Sequence, residues 1–105
     1  MEHNFNILAL YESDGLEKVI IYAGRFQPFH KGHKSVYEYL TNKYPYAKVY
    51  ISTSDKTDSS GRYPFNFEEK KKIMTFAGIP EEAILEITSP YNISEYVNKL
   101  GIDVS

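Results

Sequence analysis

The stretch Val19-Ile20-Ile21-Tyr22-Ala23-Gly24-Arg25-Phe26-Gln27-Pro28-Phe29-His30-Lys31-Gly32-His33 decides the fold. Its first five residues are continuously apolar, as in a central parallel strand covered on both faces. Beyond it, Val36, Tyr37, Leu40 and Tyr44 form a stripe at helical spacing, and Pro45 ends that helix. A buried strand therefore runs through a tight turn into a helix. Phosphate is held at such junctions, because the first backbone N–H groups and the positive end of the helix dipole point at one spot. His30 and His33 lie three residues apart at the helix start, so their imidazoles share a face and can act on one bound group.

Further along, Val49-Tyr50-Ile51 is the expected second strand, followed by a polar, turn-forming loop from Ser52 to Arg62. Asn66 and Glu69 read as N-cap and capping-box partner of a second helix. That helix runs through Ala77 and is closed by Gly78 and Pro80. Ile84 to Ile87 is the expected third strand. Asn92 and Glu95 repeat the capping signal before the stripe Ile93, Tyr96, Val97 and Leu100, which Gly101 stops. Residues 4–12 are apolar enough to pack but too short to assign to helix or strand. Three strand–helix units with right-handed crossovers predict a Rossmann-like, doubly wound parallel α/β sheet. Ile102-Asp103-Val104-Ser105 reads as the approach to a fourth strand, so the chain is expected to be the N-terminal part of that sheet, with three parallel strands and their crossover helices.

The bulk composition narrows the partners. The 105 residues suit one domain, and 42% hydrophobic with 25% charged residues is ordinary globular usage. A formal net charge of -2 gives no general attraction to nucleic acid or anionic membrane, so any anion site must be built locally. The absence of cysteine excludes disulfides, thiolate metal sites and cysteine nucleophiles, and fits a reducing compartment. No apolar run approaches the about 20 residues of a membrane span, and Met1-Glu2-His3-Asn4 is unlike a signal peptide. A cytoplasmic location is expected, with neither nucleic acid nor membrane as partner. A half-built sheet exposes an edge, which makes a homo-oligomer compatible with the pattern.

The motif from Gly24 to His33 resembles the nucleotidyltransferase superfamily with an HxGH signature, which His30-Lys31-Gly32-His33 fits in full. Its longer form is most similar to archaeal-type nicotinamide mononucleotide adenylyltransferases and to nucleotidyltransferase-like proteins of large phages. A second similarity lies in Arg62-Tyr63-Pro64-Phe65 followed by Glu69-Lys70 and Met74, although Lys70 stands where the family usually has arginine. The resemblance implies a nucleotidyltransferase domain over residues 17–105, preceded by an extension at 1–16. It implies transfer of a nucleoside monophosphate from ATP or CTP to a phosphorylated small molecule, nicotinamide mononucleotide first among the candidates, with release of pyrophosphate. Phosphopantetheine, a polyol phosphate or a flavin mononucleotide are alternative acceptors, and a nucleotide-binding module without turnover is the alternative class.

In that chemistry negative charge builds on equatorial oxygens and on the departing pyrophosphate, so positioning and electrostatics do most of the work. The resemblance gives His30, His33 and Arg25 the catalytic roles, and it assigns Gly24, Phe26, Gly32, Arg62 and Lys70 to nucleotide or phosphate. Mg2+ would bridge the phosphates, held by substrate and water, because no acidic cage is evident. Zinc is a poor reading of two histidines without cysteine or a nearby carboxylate. Ser52, Thr53 and Ser54 end a strand at the crevice edge, where contact with substrate is expected and turn chemistry alone would also explain them. Lys71 and Lys72 read as a solvated helix face.

Overall fold

In the computed structural model, which describes residues 5–11, 18–57, 60–61, 64–88 and 93–101, Val19 to Ala23 are each at most 2% exposed. They form the middle of β2 (Lys18–Gly24), and β1 (Phe5–Tyr11) precedes it. The chain continues through α1 (Lys31–Lys43), β3 (Ala47–Thr53), α2 (Phe67–Phe76), one 3₁₀ turn at Glu81–Ala83, β4 (Ile84–Glu86) and α3 (Ile93–Leu100). The strands lie side by side in the order β1-β2-β3-β4. The three expected parallel strands are β2, β3 and β4, with Tyr22 opposite Ile51 and Ile51 opposite Ile84. The segment that the pattern left unassigned is an antiparallel strand: β1 runs against β2 with Phe5 opposite Gly24 and Tyr11 opposite Lys18.

Period-two alternation splits the strands between two cores. Ile20, Tyr22, Val49 and Ile51 pack with Leu40 of α1 and Phe67 and Met74 of α2. Val19, Ile21 and Ala23 pack with Ile87 and with Tyr96 of α3. The first two crossovers therefore cover one face and the third helix covers the other, as a doubly wound sheet requires. Burying Met74 (0% exposed) on the first face stabilises the chain by about 2–5 kcal/mol against an alanine there.

The helix boundaries follow local chemistry. Tyr44 caps α1, its N–H donating to the Leu40 carbonyl at 3.0 Å. α2 opens as its sequence predicts, with the Asn66 side chain accepting from the Glu69 N–H and the Glu69 carboxylate from the Asn66 N–H, both at 2.9 Å. It closes before Gly78 at φ 102, a conformation that disfavours any residue with a Cβ. In α3 the expected cap Asn92 lies outside the described residues, while Glu95 accepts from the Thr88 N–H at 2.8 Å. Among the described residues no helix is long and apolar enough to cross a membrane. Because β2, β3 and β4 run the same way, their C-terminal ends and the starts of α1 and α2 meet at one edge of the sheet, and the site lies there.

Candidate active site

His30 is the N-cap of α1, with extended backbone at φ -135 and ψ -177. Its Nδ1 accepts from the Gly32 N–H at 3.1 Å, and its own N–H donates to His33 Nδ1 at 3.0 Å. This is a capping box in which imidazoles take the places usually held by Ser/Thr and Glu. An Nδ1 that accepts a hydrogen bond carries no proton, so each neutral ring holds its proton on Nε2. The rings stack, centroids 3.7 Å apart and 22° between planes. Two parallel rings with the same tautomer thus offer two Nε2–H donors side by side at the positive end of a helix. Gly32 makes room for this. A Cβ there would come within 3.0 Å of His30 Cε1 and 3.2 Å of Nδ1, so the space it keeps is filled by the histidine's own ring.

His33 is seated by aromatic rings. Phe26 meets it edge-on at 4.9 Å between centroids and Phe29 lies 5.5 Å away. Phe26 in turn stands edge-on to Tyr22 at 5.2 Å. Phe26 takes a left-handed φ of 49, uncommon for an aromatic residue, and this conformation turns its ring into the core. The residue is 2% exposed, and where a nucleotide contact is expected of it the structure shows its ring packed against Tyr22, Phe29 and His33. Burial, and then the neighbouring His30, lower the His33 pKa from its usual 6.5 to about 4. His33 is therefore uncharged at neutral pH and acts as a hydrogen-bond donor, and cationic attraction must come from other groups.

Those groups stand at the ends of β2 and β3. Lys70, 1% exposed, reaches from α2 to donate to the Arg25 carbonyl at 3.1 Å and to Thr53 Oγ1 at 2.8 Å. Thr53 Oγ1 donates to the same carbonyl at 3.2 Å. Two of the three ammonium protons are thus used, and Lys70 also lines a cavity. Burial lowers its pKa to about 8, partly countered by the Asp55 carboxylate. The cavity measures about 70 Å3 and is walled by Arg25, Gln27, Ser54, Lys56 and Lys70. Three cations and no carboxylate in so small a space suit a single tetrahedral anion. Through Ser54 and Lys56 it adjoins an open groove of about 660 Å3 that runs past Asp55, Glu86, Thr88 and Glu95 at the ends of β3 and β4.

The structure brings Gly24, Arg25, Gly32, His30, His33, Thr53, Ser54 and Lys70 to this edge of the sheet, with Gly24 ending β2. It takes Ser52 elsewhere: one residue earlier on the pleat, Ser52 points to the other face, 1% exposed, its Oγ 2.9 Å from the Tyr96 hydroxyl of α3. Its hydroxyl serves that packing contact instead of the substrate contact expected of it. Arg62 lies outside the described residues. Sequence reasoning missed Gln27, Asp55 and Lys56. Gln27 Nε2 donates to the Phe65 carbonyl at 2.7 Å while its Oε1 accepts from the Phe65 N–H at 2.9 Å. Asp55 accepts from the Phe67 N–H at 2.9 Å, holding the start of α2. Lys56 carried one usable signal, a lone cation three residues past the end of a parallel strand.

A family model described as cytidylyltransferase-like matches residues 21–105, a span that takes in most of β2, the paired histidines and every later element. No curated protein and no solved structure matches the chain.

Proposed function

The chain belongs to the cytidylyltransferase-like family and has a nucleotidyltransferase-type domain, and we propose that it moves a nucleoside monophosphate from ATP or CTP to a phosphorylated small molecule. A phosphate oxygen of the acceptor attacks the α-phosphorus, the new P–O bond forms, and the bond to the β-phosphate oxygen breaks. Pyrophosphate leaves with the electron pair. The observation that carries this reading is the stacked pair His30 and His33, whose capping box commits both Nδ1 atoms inward and leaves two Nε2–H donors for the triphosphate. Such donors stabilise charge that grows on the phosphate oxygens and need no reorganisation as it does so.

Arg25, Lys56 and Lys70 take the acceptor's phosphate in their cavity, and the adjoining groove has room for the rest of that molecule. Holding both reactants at one sheet edge supplies the positioning on which an in-line displacement depends. Mg2+ would be held by the triphosphate oxygens and water, and would supply neutralisation of the phosphate charge. Among the described residues no group of three or more His, Cys, Asp or Glu side chains is placed to hold a metal ion. Nicotinamide mononucleotide is the first acceptor to test, on the similarity of the Gly24 to His33 motif.

Pyrophosphate release from ATP and from CTP, measured with nicotinamide mononucleotide, phosphopantetheine, a polyol phosphate and flavin mononucleotide, tests the proposal. One acceptor is expected to support turnover, and His33→Ala to lower it about 10²–10³-fold. Nucleotide binding without pyrophosphate release from any pair, in parent and His33→Ala alike, would instead make the chain a nucleotide-binding module.

A further inference from the structure

Two segments far apart in sequence wall the cationic cavity, and each reaches across to grip the other's backbone. Lys70 of α2 donates to the carbonyl of Arg25 in the β2–α1 loop. From that loop, Gln27 pairs its carboxamide with both the N–H and the C=O of Phe65, just before the α2 cap. The result is a closed ring: Arg25 to Gln27 along the chain, across to Phe65, along the chain to Lys70, and back to Arg25. The cavity of about 70 Å3 has three of these residues, Arg25, Gln27 and Lys70, in its wall.

A carboxamide carries a donor and an acceptor on one planar group and so can satisfy a peptide N–H and C=O together. Asparagine has the group but is one methylene short. Glutamate accepts and cannot donate when ionised, and methionine fills the same volume without either bond. The Gln27 bonds, at 2.7 and 2.9 Å, are short and span 38 residues of sequence. They are a direct tie between the loop that carries Arg25 and the backbone just ahead of α2.

We propose that Gln27 is a positioning residue: its clamp on Phe65 fixes the distance between the Arg25 loop and the Lys70 helix, and so holds the cavity to the size of one phosphoryl group. The use made of the cavity rests on the nucleotidyl-transfer reading, whereas the clamp's effect on Lys70 does not. Lys70 is the reporter, since its ionisation is set mainly by how well water is kept from it, with Asp55 as the facing carboxylate and Arg25 and Lys56 as neighbouring cations.

The test compares the parent chain with Gln27→Met and Gln27→Asn. The Lys70 side chain is titrated by NMR in ligand-free protein, and binding of inorganic phosphate is measured by calorimetry. In the parent, Lys70 is expected to titrate near pH 8. In both variants its titration moves up toward the usual lysine value as water enters, and inorganic phosphate binds on the order of ten-fold more weakly. An unchanged Lys70 titration with weaker binding would mean that Gln27 touches the anion itself, and would overturn the positioning role. Unchanged titration and unchanged binding would overturn it as well. A parent that binds no inorganic phosphate would overturn the phosphate reading of the cavity together with this proposal, a result distinct from a parent that binds while Lys70 ignores the variants.

Discussion

Gly32, His30 and His33 work as one device, and a single methyl group can separate its two duties. In Gly32→Ala the new Cβ would press on the His30 ring, which must give by a few tenths of an ångström and so strains its bond to the residue 32 N–H and its place in the stack. Losing that cap costs about 1 kcal/mol, and alanine is the better helix former by about 1 kcal/mol. The two effects oppose each other, so the urea midpoint should barely move while ATP affinity falls. Unaltered ATP affinity would show that the stacked geometry is dispensable. Residue by residue, the sequence made the histidine pair legible because spacing alone puts both rings on one helix face. The tautomers, the left-handed Phe26 and the partner of Gln27 were not legible. Each depends on which backbone atoms the folded loops bring within reach, and Phe65 lies 38 residues from the glutamine it binds.

Among the elements, α2 carries both the capping box and Lys70, so its start bears on stability and on the site together. Asn66→Ala removes the acceptor for the Glu69 N–H, and a loss of about 1 kcal/mol in urea-induced unfolding is expected. Asp55 still holds the Phe67 N–H in that variant, so the helix should start at the same residue and inorganic phosphate binding should persist. A helix start that frays, seen as fast exchange of the first-turn amides, would contradict this division of labour. The Asn66/Glu69 signal and the buried run into α1 were readable from residue type because both are local rules. Two other features were not. Whether residues 5–11 form a strand is decided by the free edge of β2, to which they pair antiparallel. Which of Ser52 and Thr53 faces the site is decided by one step of the pleat, set by the packing of Ile51 and Val49 on the α1 and α2 face.

At the scale of the whole molecule, winding about the sheet in two directions brings these parts to one edge. The strands end together, α1 and α2 begin where they end, and α3 closes the opposite face through Tyr96 and its contact with Ser52. With a net charge of -2 the chain has no general attraction for anions, so any attraction for phosphate must be local, and Arg25, Lys56 and Lys70 are cations gathered around one small cavity. The fold class could be read from the order of strand and helix patterns. The cavity could not, because its walls come from both the β2–α1 and the β3–α2 connections. In the proposed function the His33 imidazole, whose Nδ1 accepts from the His30 N–H, and the His30 imidazole, whose Nδ1 accepts from the Gly32 N–H, both present Nε2–H to a nucleoside triphosphate. The most direct measurement is the nitrogen-15 NMR spectrum of the histidine-labelled chain at neutral pH, recorded without and with Mg–ATP. The expected result is unprotonated Nδ1 and protonated Nε2 in both His30 and His33, with both Nε2–H signals shifting on addition of the nucleotide. Protonated Nδ1 in either ring, or Nε2–H signals that ignore the nucleotide, would contradict it.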